Sequence, residues 1–328
     1  MKISFLAILL FLISTNFAFS QDYPVRNDSS LIKKHRIRSI STIFNSISEA
    51  ERYDSMEVGK VEFDKNGNIL REKYFRLFDV MLYSQEYTYK YDKKGRLIEE
   101  IENYKDQPQN KEDSAKLNFL GYTDRTSKLT YKYDKENRLI ETLEFLKKED
   151  KEPSLSTKFE YNDKGNKIKA IFKHLNAPQQ TSLNNRIENY KYDENNNLIE
   201  TKMTWTTTET ASTTTYLYDS LGNMISESTL HYNGRENKRL FFYENGKLKR
   251  RETHNLGNED YNTKKEYEYS EDGCLIQCKS TYGKNGERQS IITFDCNKKG
   301  ILSSEYWYKD SSTKQKAFSF ETTYTYFE

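Results

Sequence analysis

YKYDKKGRLIEE, residues 89–100, returns as YKYDKENRLIET at 131–142 and as YKYDENNNLIET at 190–201. The ends are held and the middle drifts. In each copy the aromatics are two apart, the period of a strand with one covered face. Asp follows the second aromatic, and Gly or Asn follows three later. Asp suits the first position of a type I turn, and Gly or Asn accepts the left-handed backbone that closes it. A loop over 93–95 sets Asp92 opposite Arg96 and Tyr91 opposite Leu97. YENGKL, residues 243–248, is one residue shorter, and Asn245-Gly246 is a strong two-residue hairpin signal. That loop sets Tyr243 opposite Leu248. Different turns preserve one cross-strand pair, so the copied dozen reads as a hairpin tip.

Aligning the tips gives nine copies, with anchor aromatics Phe63, Tyr91, Tyr133, Tyr161, Tyr192, Tyr218, Tyr243, Tyr269 and Phe294. The turn residues are clearest as Asp64 and Gly67, Asp92 and Gly95, and Asp219 and Gly222. Asn137 and Asn196 stand in for Gly. The ninth copy reads with a longer loop. Residues 35–44 read as an opening strand and 321–328 as a closing one. Residues near 104–128 read as an insertion that projects as a loop. A single hairpin does not bury enough to hold itself, so neighbours must cover each other. The expected fold is all-β: tandem antiparallel hairpins in a long twisted or spiralling meander over residues 35–328.

Composition agrees with a thin, sheet-rich protein. Of 328 residues only 35% are hydrophobic, yet there are 26 tyrosines and 18 phenylalanines. Tyrosine buries a ring and keeps a wet hydroxyl. The 52 basic and 50 acidic residues nearly cancel, which excludes the basic face of a nucleic-acid binder. Lys90, Lys132 and Lys191 recur with Glu99, Glu141 and Glu200, a pattern that reads as a solvated charge ladder.

The N-terminus carries Lys2, an apolar run over residues 3–13, and Ala18-Phe19-Ser20 as a small-x-small site. It reads as a signal peptide over 1–20, followed by a short linker over 21–34. The mature chain is expected to be exported, periplasmic or secreted, with no transmembrane segment.

Tyr-x-Tyr-Asp-x-x-Gly-x-Leu resembles the YD repeat of the Rhs and teneurin-related families, over about residues 61–302. In large relatives such repeats form a spiralling β-sheet shell, sometimes around a toxin, and some relatives are labelled sugar-binding. The chain departs from that pattern at Asn162, Glu244 and Ser270, and its short length points away from a closed cocoon. It resembles the small exported YD-repeat proteins of Bacteroidetes.

No nucleophile elbow, phosphate loop, dinucleotide fingerprint or zinc-protease helix is present. No catalytic residue, metal ligand or cofactor is expected. Asp64-x-Asn66-x-Asn68 and Asp193-x-Asn195-x-Asn197 begin like calcium loops but lack the Gly and Glu that complete one. Trp205, with Tyr306, Trp307 and Tyr308, forms the candidate ligand surface, since exposed rings stack on sugars or partner side chains. The expected role is a non-enzymatic scaffold or interaction module with an envelope protein or glycan as partner. Carbohydrate binding and an accessory shell for a toxin or other partner are the alternatives.

Three cysteines remain: Cys274, Cys278 and Cys296. An odd count in an exported chain suggests one bond and one thiol. Residues four apart on a strand are roughly 13 Å apart, too far to bridge. A turn closing at Gly286 pairs Tyr282 with Arg288, and the same register brings Cys274 opposite Cys296. The expected bond is Cys274–Cys296, leaving Cys278 as a thiol.

Overall fold

The computed structural model describes residues 29–46, 55–78, 81–107, 125–175, 185–297, 301–308 and 316–327. The expected signal peptide, most of the expected linker and residues 108–124 of the expected insertion lie outside them, while residues 104–107 and 125–128, expected as loop, belong to strands. One short helix, α1 (Ser29–Lys34), precedes twenty strands. These begin with β1 (Ile37–Ser46), β2 (Ser55–Phe63), β3 (Ile69–Phe78), β4 (Met81–Tyr91) and β5 (Leu97–Gln107). Next come β6 (Arg125–Tyr133), β7 (Leu139–Phe145), β8 (Leu155–Tyr161), β9 (Lys167–His174) and β10 (Arg186–Tyr192). Then follow β11 (Leu198–Trp205), β12 (Ala211–Tyr218), β13 (Met224–Leu230), β14 (Glu236–Glu244) and β15 (Lys247–Asn255). The last are β16 (Thr263–Tyr269), β17 (Leu275–Tyr282), β18 (Arg288–Cys296), β19 (Leu302–Tyr308) and β20 (Lys316–Tyr326).

Every strand pairs antiparallel with the next in sequence. β20 then pairs with β1 through Ile40–Tyr324, Thr42–Thr322 and Phe44–Phe320. The expected hairpin meander is present, and it closes on itself into a barrel. The opening and closing strands are the two that meet. Among the described strands, closure leaves no sheet edge for another chain to extend.

The tips fold as local chemistry dictates. Tyr91 pairs with Leu97, Tyr133 with Leu139 and Tyr243 with Leu248. Gly95 has φ 77°, Asn137 and Asn196 both 65°, and Asn245 and Gly246 are left-handed at 51° and 73°. Asp92 accepts the N–H of Lys94 at 2.8 Å and of Arg96 at 3.0 Å, which fixes the turn from inside.

The ninth copy needs a correction. Its structural anchor is Cys296, which pairs with Leu302, and not Phe294, which pairs with Glu305. The Asn297 N–H donates to the Ile301 carbonyl at 2.8 Å, as Ser270 does to Cys274 in the copy before. The turn therefore spans the usual length, because the anchor is the cysteine two residues beyond the ring.

One face of the sheet is consistently more occluded. In β18, Ile292 and Phe294 are buried while Gln289 and Asp295 are exposed. In β10, Tyr190 and Tyr192 are half-buried while Asn189 and Lys191 are exposed. The occluded face carries the anchors and is the inner wall, because side chains crowd on the concave side of a closed sheet. Phe44, Tyr267, Cys278, Ile292, Phe294, Leu302 and Trp307 form its main apolar cluster. A second cluster joins Ile32 of α1 to Ile37, Ile40, Phe63 and Ile301 at the hairpin-tip end. Helix α1 thus occupies part of the segment expected to be linker and covers that end through Ile32.

Candidate functional site

The inner wall is built by the repeat itself. Six anchor tyrosines lean over the preceding hairpin and donate to the carbonyl of that hairpin's own Leu position. Tyr91 reaches Ile69, Tyr133 reaches Leu97 and Tyr161 reaches Leu139, at 2.7–2.8 Å. Tyr192 reaches Lys167, Tyr218 reaches Leu198 and Tyr269 reaches Leu248, at 2.9–3.0 Å. Tyr324 makes the same contact to Leu302. These carbonyls lie just past the end of the backbone ladder. The β3–β4 ladder, for example, begins at Arg71–Thr88, beyond Ile69. The hydroxyl satisfies an acceptor that the sheet leaves over. Burial pushes the phenols of Tyr91, Tyr133, Tyr192 and Tyr218 above their ordinary value.

Carboxylates also point inward over β3–β6, each held by a neighbour. Tyr89 donates to Glu72 at 3.1 Å, and Tyr131 to Glu100 at 2.8 Å. Glu102 accepts from Gln85 at 2.5 Å and from Ser127 at 3.2 Å. Burial raises the Glu72 carboxyl above the usual carboxylate range, against the lowering effect of bonds from Tyr74 and Tyr89. These carboxylates face phenols, an amide and the Ser127 hydroxyl. Among the described residues no group of three or more His, Cys, Asp and Glu is placed to hold a metal ion. The carboxylates of Asp64 and Asp193 are both engaged inside their turns.

The outer wall carries the charge ladder. Lys90 meets Glu99 at 2.5 Å, Lys132 meets Glu141 at 3.4 Å and Lys191 meets Glu200 at 2.8 Å. Arg71–Glu86, Lys158–Glu141 and Lys169–Glu160 continue it around the barrel. Partly exposed pairs of this kind add little stability. They do set what the wall can face.

Uncovered apolar side chains stand at both ends: Leu70, Ile98, Ile168, Ile199, Ile225 and Ile276 are 37–43% exposed beside the tips, Leu221 is exposed within one, and a second group lies at the opposite end. Leu146, Leu175, Leu230, Tyr232, Leu256 and Tyr261 are 42–67% exposed in the loops that follow β7, β9, β13 and β15 or at their edge. Trp205 ends β11 on the inner wall beside them, its ring 5.7 Å from that of Tyr232 and tilted by 71°. The candidate ligand residues are therefore separated. Trp205 sits at this rim. Trp307 is 4% exposed in the inner cluster, its Nε1 donating to Glu305 at 2.6 Å. Tyr306 and Tyr308 lie on the outer wall, where the Tyr308 hydroxyl is 3.2 Å from that of Thr293. The rim leucines carry no periodic signal, and only the ends of the strands reveal them.

Cys274 and Cys296 are joined by a disulfide across two neighbouring tips, with Cα atoms 6.5 Å apart. Cys278 is a buried thiol on the next rungs, paired in register with Tyr267 and Ile292.

No family model and no curated protein matches the sequence. Several solved structures are similar to it in part. A porin-like protein from Bacteroides uniformis is 10% identical at a TM-score of 0.36, over 89% of this chain and 97% of that one. A porin-like protein from Bacteroides vulgatus is 9% identical at 0.26, over 88% and 98%. The TcdB2-TccC3-Cdc42 complex is 12% identical at 0.29, over 80% of this chain. This chain spans 18% of the TcdB2-TccC3 chain.

Proposed function

We propose that this chain is an exported, non-enzymatic interaction module of the cell envelope: a water-surrounded barrel that engages a protein partner through its loop rim. The observation that carries this reading is the rim itself. Leu146, Leu175, Leu230, Tyr232, Leu256 and Tyr261 stand exposed at one end of a barrel whose inner-wall carboxylates bond tyrosine, amide and serine groups and whose outer wall carries an ion-pair ladder. A barrel that spans a bilayer presents an apolar band to lipid and a polar lumen. Here the Lys–Glu pairs face outward while the anchor tyrosines face inward, which supports water on the outside. No described helix is long and apolar enough to cross a membrane.

The test is cross-linking of the native-host protein in its own envelope. Leu146→Ser, Leu175→Ser and Leu256→Ser together are compared with Leu221→Ser, a change at an exposed tip on the far end. The rim variant is expected to lose the cross-linked species and the tip variant to keep it. Equal cross-linking by both removes the rim from consideration.

Sugar binding is a second reading, favoured by the open Trp205–Tyr232 corner. In a Trp307→Phe background, envelope glycans that bind there are expected to shift Trp205 emission. Unchanged emission across such a panel would leave the protein-partner reading alone.

A further inference from the structure

The tyrosine contact that ties one tip to the next is missing where β17 meets β18. The anchor there is Cys296, and its side chain is too short to reach the Leu275 carbonyl as a tyrosine would. Its disulfide partner is Cys274, the residue immediately before Leu275, at the tip of the preceding hairpin. Asn68, Asn166, Asn197 and Asn223 hold the Cys274 place in other copies. The bond therefore joins the same two tips at the same level of the barrel. Beyond this junction lie only β18, β19 and β20 before the seam with β1.

We propose that the Cys274–Cys296 disulfide is a redox-conditioned latch that replaces the missing tyrosine contact, so that the sector from β16 to the seam closes firmly only when the pair is oxidised. A dithiol reductant opens it in two steps. One reductant thiolate attacks a cysteine sulfur, the S–S bond breaks, and a mixed disulfide forms. The second reductant thiol displaces the protein sulfur. Two electrons and two protons end on Cys274 and Cys296 as thiols, and the reductant leaves as its disulfide. Neither thiol then spans the tips. Junctions such as Tyr133–Leu97 hold no cysteine and are untouched. Oxidation after export is what completes the ring, a role independent of which partner or glycan the rim meets.

The experiment is hydrogen exchange of the full mature chain in a Cys278→Ser background, before and after dithiothreitol, with thiol release verified by alkylation mass. Reduction is expected to speed exchange roughly tenfold or more in β17, β18, β20 and β1, and to leave β6–β12 unchanged. Cys274→Ser with Cys296→Ser is expected to exchange like the reduced chain under either condition. Cys274→Asn with Cys296→Tyr restores the common tip and is expected to be protected and indifferent to reductant. Unchanged exchange after verified reduction overturns the proposal. So does loosening that is uniform around the barrel, or a serine pair as protected as the oxidised chain.

Discussion

The hydroxyl of Tyr133 donates to the carbonyl oxygen of Leu97 at 2.8 Å, across the boundary between two hairpins. Within its own hairpin Tyr133 pairs with Leu139. One side chain therefore serves two repeats, by packing in one and hydrogen bonding to the other. Tyr133→Phe keeps the packing and removes the bond. The expected loss is about 0.5–1.5 kcal/mol, measured by urea denaturation. Tyr91→Phe is expected to cost the same and to add to it, since the two act at separate junctions. A loss near zero for both would show that water satisfies the carbonyl equally well.

Gly95 sits at φ 77° with nothing within 4 Å of the place a Cβ would occupy. Substitution there tests backbone conformation without a clash. Gly95→Ala is expected to cost about 1–2 kcal/mol. Gly95→Asn is expected to be much milder, because Asn137 and Asn196 already occupy the same site at 65°. Equal thermal shifts for the two variants would contradict the turn assignment.

Acid is expected to loosen the tips. The Asp92 carboxylate is held below its usual range by the Arg96 N–H, and Asp193 and Asp219 by the side chains of Asn197 and Asn223. A carboxyl whose folded value lies below its unfolded one stabilises the fold above the unfolded value. That contribution is lost as pH falls through the folded value. Melting temperature is therefore expected to drop below about pH 4. Asp92→Asn, Asp193→Asn and Asp219→Asn together are expected to flatten that drop. A drop of unchanged size in the triple variant would assign it elsewhere.

Glu72 has the opposite sign. Its folded value is raised by burial, so the folded state holds the proton more tightly and stability falls as pH rises past the unfolded value. Glu72→Gln keeps an acceptor for Tyr89. It is expected to stabilise the protein at pH 7 and to be neutral near pH 4, read from melts at both values. Destabilisation at both would mean that the carboxylate is needed in its charged form.

Base is expected to act on the tyrosines. Burial raises the phenols of Tyr89, Tyr131 and Tyr190, and their glutamate contacts add to it. Absorbance at the tyrosinate band is expected to lag in the native protein relative to the urea-unfolded chain above about pH 10. Superimposable titrations would show that the inner wall is open to water.

The hairpin tip was legible because it is decided locally. Asp92, Gly95 and the Tyr91–Leu97 pair are all fixed within ten residues, and the Lys90–Glu99 rung follows from them. The ninth anchor is not legible from rings because it is a sulfur, and the nearest ring, Phe294, lies one slip away. That slip is two residues, one full strand period, so it moved the anchor without changing the face. Closure was not legible. It rests on Ile40 meeting Tyr324, a contact set by the summed twist of twenty strands and not by any local signal. The tyrosine contacts to Ile69 and Leu97 are not legible for a related reason: they cross between repeats, whereas the repeated pattern relates residues within one. The placement of Trp307 follows from parity, since Phe294 and Glu305 share the inner wall with it.

At the seam, the N–H of Phe327 donates to the carbonyl of Arg36 at 2.8 Å, at the same end as the other tips, and Arg36 itself is left-handed at φ 53°. The two ends of the described chain meet where a turn would otherwise stand. The polypeptide is in effect a bracelet with its clasp at this point, and nothing in the pairing distinguishes the clasp from any other link. A short glycine-bearing bridge from Phe327 to Arg36, with α1 left out and new ends cut between Asn245 and Gly246, would give a circular permutant with the same strand neighbours. In such a permutant, β15 would leave the ribosome first and β14 last. The order of synthesis would rotate while the finished object stayed the same.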